Sequence, residues 1–254
     1  MVEKFLTVAG DPATLSLTLV VLVAGTVRGF AGFGAGLVFV PFAGSLIGPR
    51  AAVIVLWAID SLPTLPILIP ALRVCNYRSV LPAAGGVALC APFGAYLLAT
   101  ADPLVLRWGM SGVVLALVVL LGSGLRFTGP RRPASAFGVG MLSGLLGGAT
   151  QLSGPPVVVY WMSGHEAAAE IRANLIVFFA LSTVITGLSF WANGIFSEAA
   201  LMRAAIAAPV YFVALILGQK MFGFASEKVF RRVALGLIVA AAIMASPAFD
   251  GVLR

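Results

Sequence analysis

Charge is what this sequence has least of. Only 10% of its 254 residues are Asp, Glu, Lys or Arg, whereas 61% are hydrophobic. A soluble domain carries roughly a quarter charged residues, so a water-facing surface cannot be assembled here. Cysteine is nearly absent too. Cys75 and Cys90 supply neither a disulfide framework nor a metal-ligand spacing, and Cys90, inside an apolar run, reads as a small core residue. His165 is the only histidine, too little for a metal site, and no nucleotide-binding motif occurs. No metal and no cofactor are therefore expected. The net charge of +7 is spread over single or paired basic residues, such as Arg131-Arg132 and Arg231-Arg232. That pattern suits loops facing anionic membrane lipid; it lacks the basic stripe that nucleic acid requires.

What is abundant is apolar length. About 20 apolar residues cross a bilayer as a helix, and the chain divides into eight such segments, at 14–40, 51–72, 79–99, 104–122, 134–162, 172–192, 199–219 and 230–247. Clusters rich in Gly, Pro and charge separate them, the richest being Gly129-Pro130-Arg131-Arg132-Pro133. The first run follows Glu3 and Asp11 without a basic n-region and reads as a retained helix, not a cleaved signal. The expected fold is an all-α integral membrane protein.

The two halves, 1–128 and 129–254, match each other and read as four-segment repeats of one transport domain. Gly29-x-x-Gly32 with Pro41 parallels Gly144-x-x-Gly147 with Pro156. Arg50-Ala51 parallels Arg172-Ala173, and Gly94, Val105, Arg107 and Gly112 parallel Gly218, Val229, Arg231 and Gly236. If segments one and five re-enter instead of crossing, Arg73, Arg78, Arg131, Arg132, Lys220 and Arg231 share one side of the membrane. The repeats would then be inverted, as in many secondary transporters. If all eight cross, the positive-inside rule is silent.

Segments one and five each contain a glycine-rich break. The first runs from Arg28 through Gly32, Gly34 and Gly36; the second runs through Gly147, Gly148, Thr150, Gln151, Ser153 and Gly154 to Pro155-Pro156. Irregular backbone inside a bilayer is tolerated only where protein or water satisfies it. A helix that restarts after such a break aims N–H groups and a positive dipole end at the gap. Both breaks are thus candidate anion-binding elements, although the same glycines also suit close helix packing. Arg28, deep in an apolar run, either snorkels to the headgroups or binds an anion through a forked hydrogen-bond pair. Asp60, with Pro63, Pro66 and Pro70 after it, either pairs structurally or carries a coupling proton; its aligned position in the second half is Ser182. Trp57, Trp108, Trp161 and Trp191 read as interfacial anchors. Two other classes stay open: a carrier for a neutral or cationic metabolite centred on Asp60, and a membrane hydrolase built on Ser153 or Ser163 with His165.

The paired breaks with their downstream prolines, the eight-segment plan and the duplication resemble the TauE/SafE family of sulfite exporters across nearly the whole chain. That resemblance implies a bacterial inner-membrane transporter, not an enzyme, for sulfite or a related organosulfur anion. The sequence departs from the family's run of consecutive glycines at Phe33 and Ala35 and at Ala149, Thr150 and Gln151. The expected substrate is a small anion: sulfite, a sulfonate, or a related organosulfur or carboxylate anion. The oligomeric state, a homo-oligomer included, is left open.

Overall fold

The computed structural model describes residues 7–221 apart from 9, 32, 124–126, 131 and 165, together with 236. Apart from Gly236, the eighth apolar segment lies outside the described residues, as do His165 and Gly32. The helices are α1 (Pro12–Ala31), α2 (Ala35–Ile47), α3 (Pro49–Ser61), α4 (Leu65–Leu72), α5 (Tyr77–Thr100), α6 (Pro103–Gly122), α7 (Pro133–Thr150), α8 (Gly154–Met162), α9 (Ala168–Ala192) and α10 (Glu198–Met221). A short 3-10 turn, Leu62–Thr64, joins α3 to α4, and there is no strand among the described residues. Segments one, two and five of the sequence are each two helices in succession. Among the described residues five helices, α1, α5, α6, α9 and α10, are long and apolar enough to cross a membrane.

Proline sets several starts. Pro12, Pro49, Pro103 and Pro133 each open a helix, where the missing N–H costs nothing. Asp11 and Asp102, just ahead of two of these prolines, accept hydrogen bonds from the Ala13 and Leu104 N–H groups at 3.0 and 2.7 Å. The faces of α1 then divide cleanly. Leu17, Val21 and Ala24 are buried, while Leu15 and Leu19 are 61% and 69% exposed. In water such leucines would form an adhesive patch; in lipid they are solvated.

The described chain forms two compact units, and each draws on both halves of the sequence. One comprises residues up to Ile59, Ala101–Gly122 and the chain from Phe196 onward; the other comprises Asp60–Thr100 and Ser123–Ile195. In the first unit α1 packs along α10, and a Cβ on Gly25 would meet the Ala214 side chain at 2.7 Å. Gly29 faces the Leu215 backbone, and Gly218 faces the Thr26 carbonyl. Arg203 of α10 closes this pair by donating to Asp11 at 2.8 Å and to Thr14 at 3.3 Å. The guanidinium holds the Asp11 carboxyl below its usual range, so the pair is ionised at neutral pH.

In the second unit α5 and α7 interlock through glycine. Gly86 and Gly94 of α5 face the Phe137 and Leu145 carbonyls, and Gly140 and Gly148 of α7 face the Ala83 and Ala91 carbonyls. Such close approach is how membrane helices gain packing without a hydrophobic driving force. Beside this pair lies an edge-to-face series of rings: Phe127, Tyr160, Trp161, Phe178 and Phe179, with centroids 5.0 to 6.0 Å apart. Trp161 is therefore not an interfacial anchor. It is 2% exposed, and its indole N–H donates to Ser79 at 2.9 Å. The buried cysteine is Cys75, while Cys90 is half-buried. Asn174, 1% exposed, accepts from the Asn76 N–H at 2.7 Å, and Asn76 in turn donates to Glu170 at 3.1 Å.

Candidate substrate site

In the first unit, α1 ends at Ala31 and α2 restarts at Ala35. Gly34 supplies the turn, with φ 94° and ψ 2°, a left-handed conformation that glycine adopts without steric penalty. The first turn of α2 contains no proline, and Ala35, Gly36 and Leu37 are all buried. The Leu37 N–H bonds to the Gly34 carbonyl at 3.1 Å, so the Ala35 and Gly36 N–H groups are the orphan donors of this helix start. Arg28 lies in the last turn of α1 and is half-buried. A cation there is favoured by the negative end of the helix dipole, which lowers the cost of placing charge in an apolar run.

In the second unit, α7 ends at Thr150 and α8 restarts at Gly154. The turn is made by Gln151 at φ 59° and ψ 22°, with its N–H on the Gly147 carbonyl at 2.9 Å. It is the one non-glycine residue with positive φ among the described residues. Glycine is the usual occupant of such a helix end, and the left-handed conformation costs other residues roughly 1–2 kcal/mol. Ser153 precedes α8, is 9% exposed, and makes no side-chain capping bond. Pro155 and Pro156 carry no N–H, so the N–H groups of Ser153 and Gly154 are the donors this start can offer. Side-chain donors consequently matter more here than at α2.

The neighbours of this break are hydroxyl-rich. A Cβ on Gly147 would lie 3.1 Å from the Ser153 Cβ and 3.6 Å from the Thr186 methyl, and one on Gly154 would lie 3.5 Å from the Phe179 ring. Gly148 points elsewhere, against the Ala91 carbonyl of α5. Thr150, 5% exposed, donates to the Leu146 carbonyl at 2.8 Å, and Thr186 donates to the Ser182 carbonyl at 2.8 Å. Two buried hydroxyls, those of Ser143 and Ser182, have no hydrogen-bond partner among the described residues. An unsatisfied buried hydroxyl costs about 1–3 kcal/mol, which sets both apart from ordinary core serines. Asp60 is half-buried in the last turn of α3, ahead of the 3-10 turn.

The family model for the sulfite exporter TauE/SafE matches residues 17–245, nearly the full chain. The chain belongs to the TauE/SafE family. A curated relative from Cupriavidus necator, named "Probable sulfite/organosulfonate exporter TauE", is 30% identical over 223 residues, covering 82% of this chain and 84% of that protein. No solved structure matches. Membership of the TauE/SafE family, together with the five long apolar helices, makes this a multi-pass membrane transporter and not an enzyme.

Seen as a TauE/SafE member, the chain places its predicted site residues in two groups. Arg28, Gly34 and Gly36 surround the restart of α2, and Gly147, Thr150, Gln151, Ser153 and Gly154 surround the restart of α8. Gly148 and Thr150 are committed to packing and to a backbone bond respectively. The serine considered for hydrolysis, Ser163, is also committed: its hydroxyl accepts from the Phe127 N–H at 2.8 Å and donates to the Val159 carbonyl. Ser182 and Thr186 were not singled out as site residues by the sequence reading. Their signal is nonetheless in the sequence, since Ser182, Thr186 and Ser189 form a polar stripe at helical spacing on an otherwise apolar helix.

Proposed function

We propose that this chain exports a small sulfur oxyanion, either sulfite or an organosulfonate, with related organosulfur and carboxylate anions as weaker substrates. The observation that carries the reading is a helix restarting at Gly154 inside a long apolar segment, with half-buried Gln151 and buried Ser153 at the break. Polar groups in that setting need a partner, and a dipole start favours an anionic one. At the first break Arg28 supplies the charge, while Gly34 and Gly36 let an oxyanion approach the backbone donors. At the second break the Gln151 amide, the Ser153 hydroxyl and the Gly154 N–H supply directional hydrogen bonds. Asp60 carries the coupling proton, and the two sequence repeats move by alternating access. Sulfur is favoured over carboxylate because three oxygens on one centre engage more of these donors than two do.

Flux through purified protein in liposomes tests the assignment, using sulfite, methanesulfonate and acetate with and without a pH gradient. Sulfite and methanesulfonate should move faster than acetate, and a pH gradient should accelerate them. If none of the three moves, oxyanion transport is wrong.

Gln151 gives a sharper check. Gln151→Gly should stabilise the protein by about 1 kcal/mol, by relieving the left-handed strain, and should weaken sulfite affinity. A thermal melt and a binding titration on the same preparation read both. A variant that loses stability and keeps its affinity would make Gln151 structural.

A further inference from the structure

We infer that Ser182 binds the transported oxyanion, donating its hydroxyl to a substrate oxygen held at the start of α8. This rests on the proposed oxyanion reading and adds to it a residue from a different helix. Phe179 and Thr186 of α9 lie beside the break: a Cβ on Gly154 would sit 3.5 Å from the Phe179 ring and one on Gly147 3.6 Å from the Thr186 methyl. Ser182 lies three residues after the first and four before the second, which puts all three on one helix face. Its side chain is 3% exposed, and its Oγ is buried without a partner among the described residues.

Several neighbouring donors beyond Gln151, Ser153 and the Gly154 N–H are absent or spent. Pro155 and Pro156 remove two N–H groups from the α8 start. The Thr186 hydroxyl is occupied by the Ser182 carbonyl, and the Thr150 hydroxyl by the Leu146 carbonyl. Ser182 is therefore the hydroxyl on this α9 face with a proton still to give. A neutral donor in a dry setting binds a charged oxygen strongly without adding a counter-charge, which suits a site that must also release its cargo. It also gives the site a preference: a third oxygen on the substrate has a partner that a planar carboxylate leaves unused.

The test uses full-length purified protein and three probes, sulfite, methanesulfonate and acetate, with Ser182→Ala and Ser182→Cys beside the wild type. Removing an unsatisfied hydroxyl should leave the melting temperature without ligand unchanged or raised. The sulfite and methanesulfonate dissociation constants should rise by about ten- to a hundredfold in both variants, and that of acetate by less. Cysteine fills the same space but is a weak donor, so recovery in Ser182→Cys alone would mean that Ser182 acts through volume, which overturns the inference. Wild-type sulfite affinity in Ser182→Ala overturns it too, as does a ligand-free melting temperature that falls together with affinity. Those outcomes leave the transport reading intact. A wild type that binds none of the probes removes both.

Discussion

Arg28→Ala should lower sulfite flux by about ten- to a hundredfold. A hydrogen bond to a charged group contributes roughly 1.5–3 kcal/mol, and each 1.4 kcal/mol is about a factor of ten. Arg28 sits in the last turn of α1, half-buried, three residues before the helix ends. An ammonium there keeps the charge and loses the planar fork, so Arg28→Lys should recover only part of the flux. Asp60→Asn separates charge binding from coupling. It should abolish acceleration by a pH gradient and leave sulfite exchange at equilibrium. The opposite pattern, flux surviving Arg28→Ala and failing in Asp60→Asn, would favour a carrier for a neutral or cationic solute.

Gly94→Ala should largely prevent the second unit from forming, although it adds one methyl group. The new Cβ would run into the Leu145 carbonyl and lie 2.8 Å from the Ala149 nitrogen. Both are backbone atoms of α7, so no side chain can rotate out of the way. Overpacking of this kind costs about 1–3 kcal/mol where neighbours can shift, and more where they cannot. Because α7 is locked to α5 at several points, we expect roughly 3 kcal/mol or more and a matching loss of monodisperse protein in detergent. Gly109 on α6 is the matched control, since nothing lies within 4 Å of its would-be Cβ. Gly109→Ala should be neutral or stabilising by up to about 1 kcal/mol. Equal yields for the two variants would contradict the packing described for α5 and α7.

Much of the helical content was legible because its causes are local. Long apolar runs, an opening proline and an aspartate just before it define helices such as α1 and α6 without any knowledge of their neighbours. The break at Gly34 was legible for the same reason, since glycine is the residue that tolerates its conformation. What packs against what was not legible. Small residues line α1, α5, α7 and α10 alike, and nothing in a single sequence says that Gly29 meets Leu215 or that Gly148 meets Ala91. Trp161 shows the same limit. A tryptophan near a segment end resembles an interfacial anchor until Ser79, far away in sequence, is found to accept its N–H. At the second break Gln151 and Ser153 could be named from sequence. For Ser182 the sequence shows only a place in a polar stripe on α9; its missing hydrogen-bond partner is a property of the folded chain.

The pairing of α1 with α10 also orders events during synthesis. Helix α1 is made long before α10 and cannot meet this glycine-matched partner until residue 218 has been added to the chain. Until then the groove at Gly25 and Gly29 faces lipid or passing helices, and the half-protein that ends near residue 128 holds only one side of the contact. A ribosome stalled midway therefore leaves an unmatched glycine seam in the bilayer.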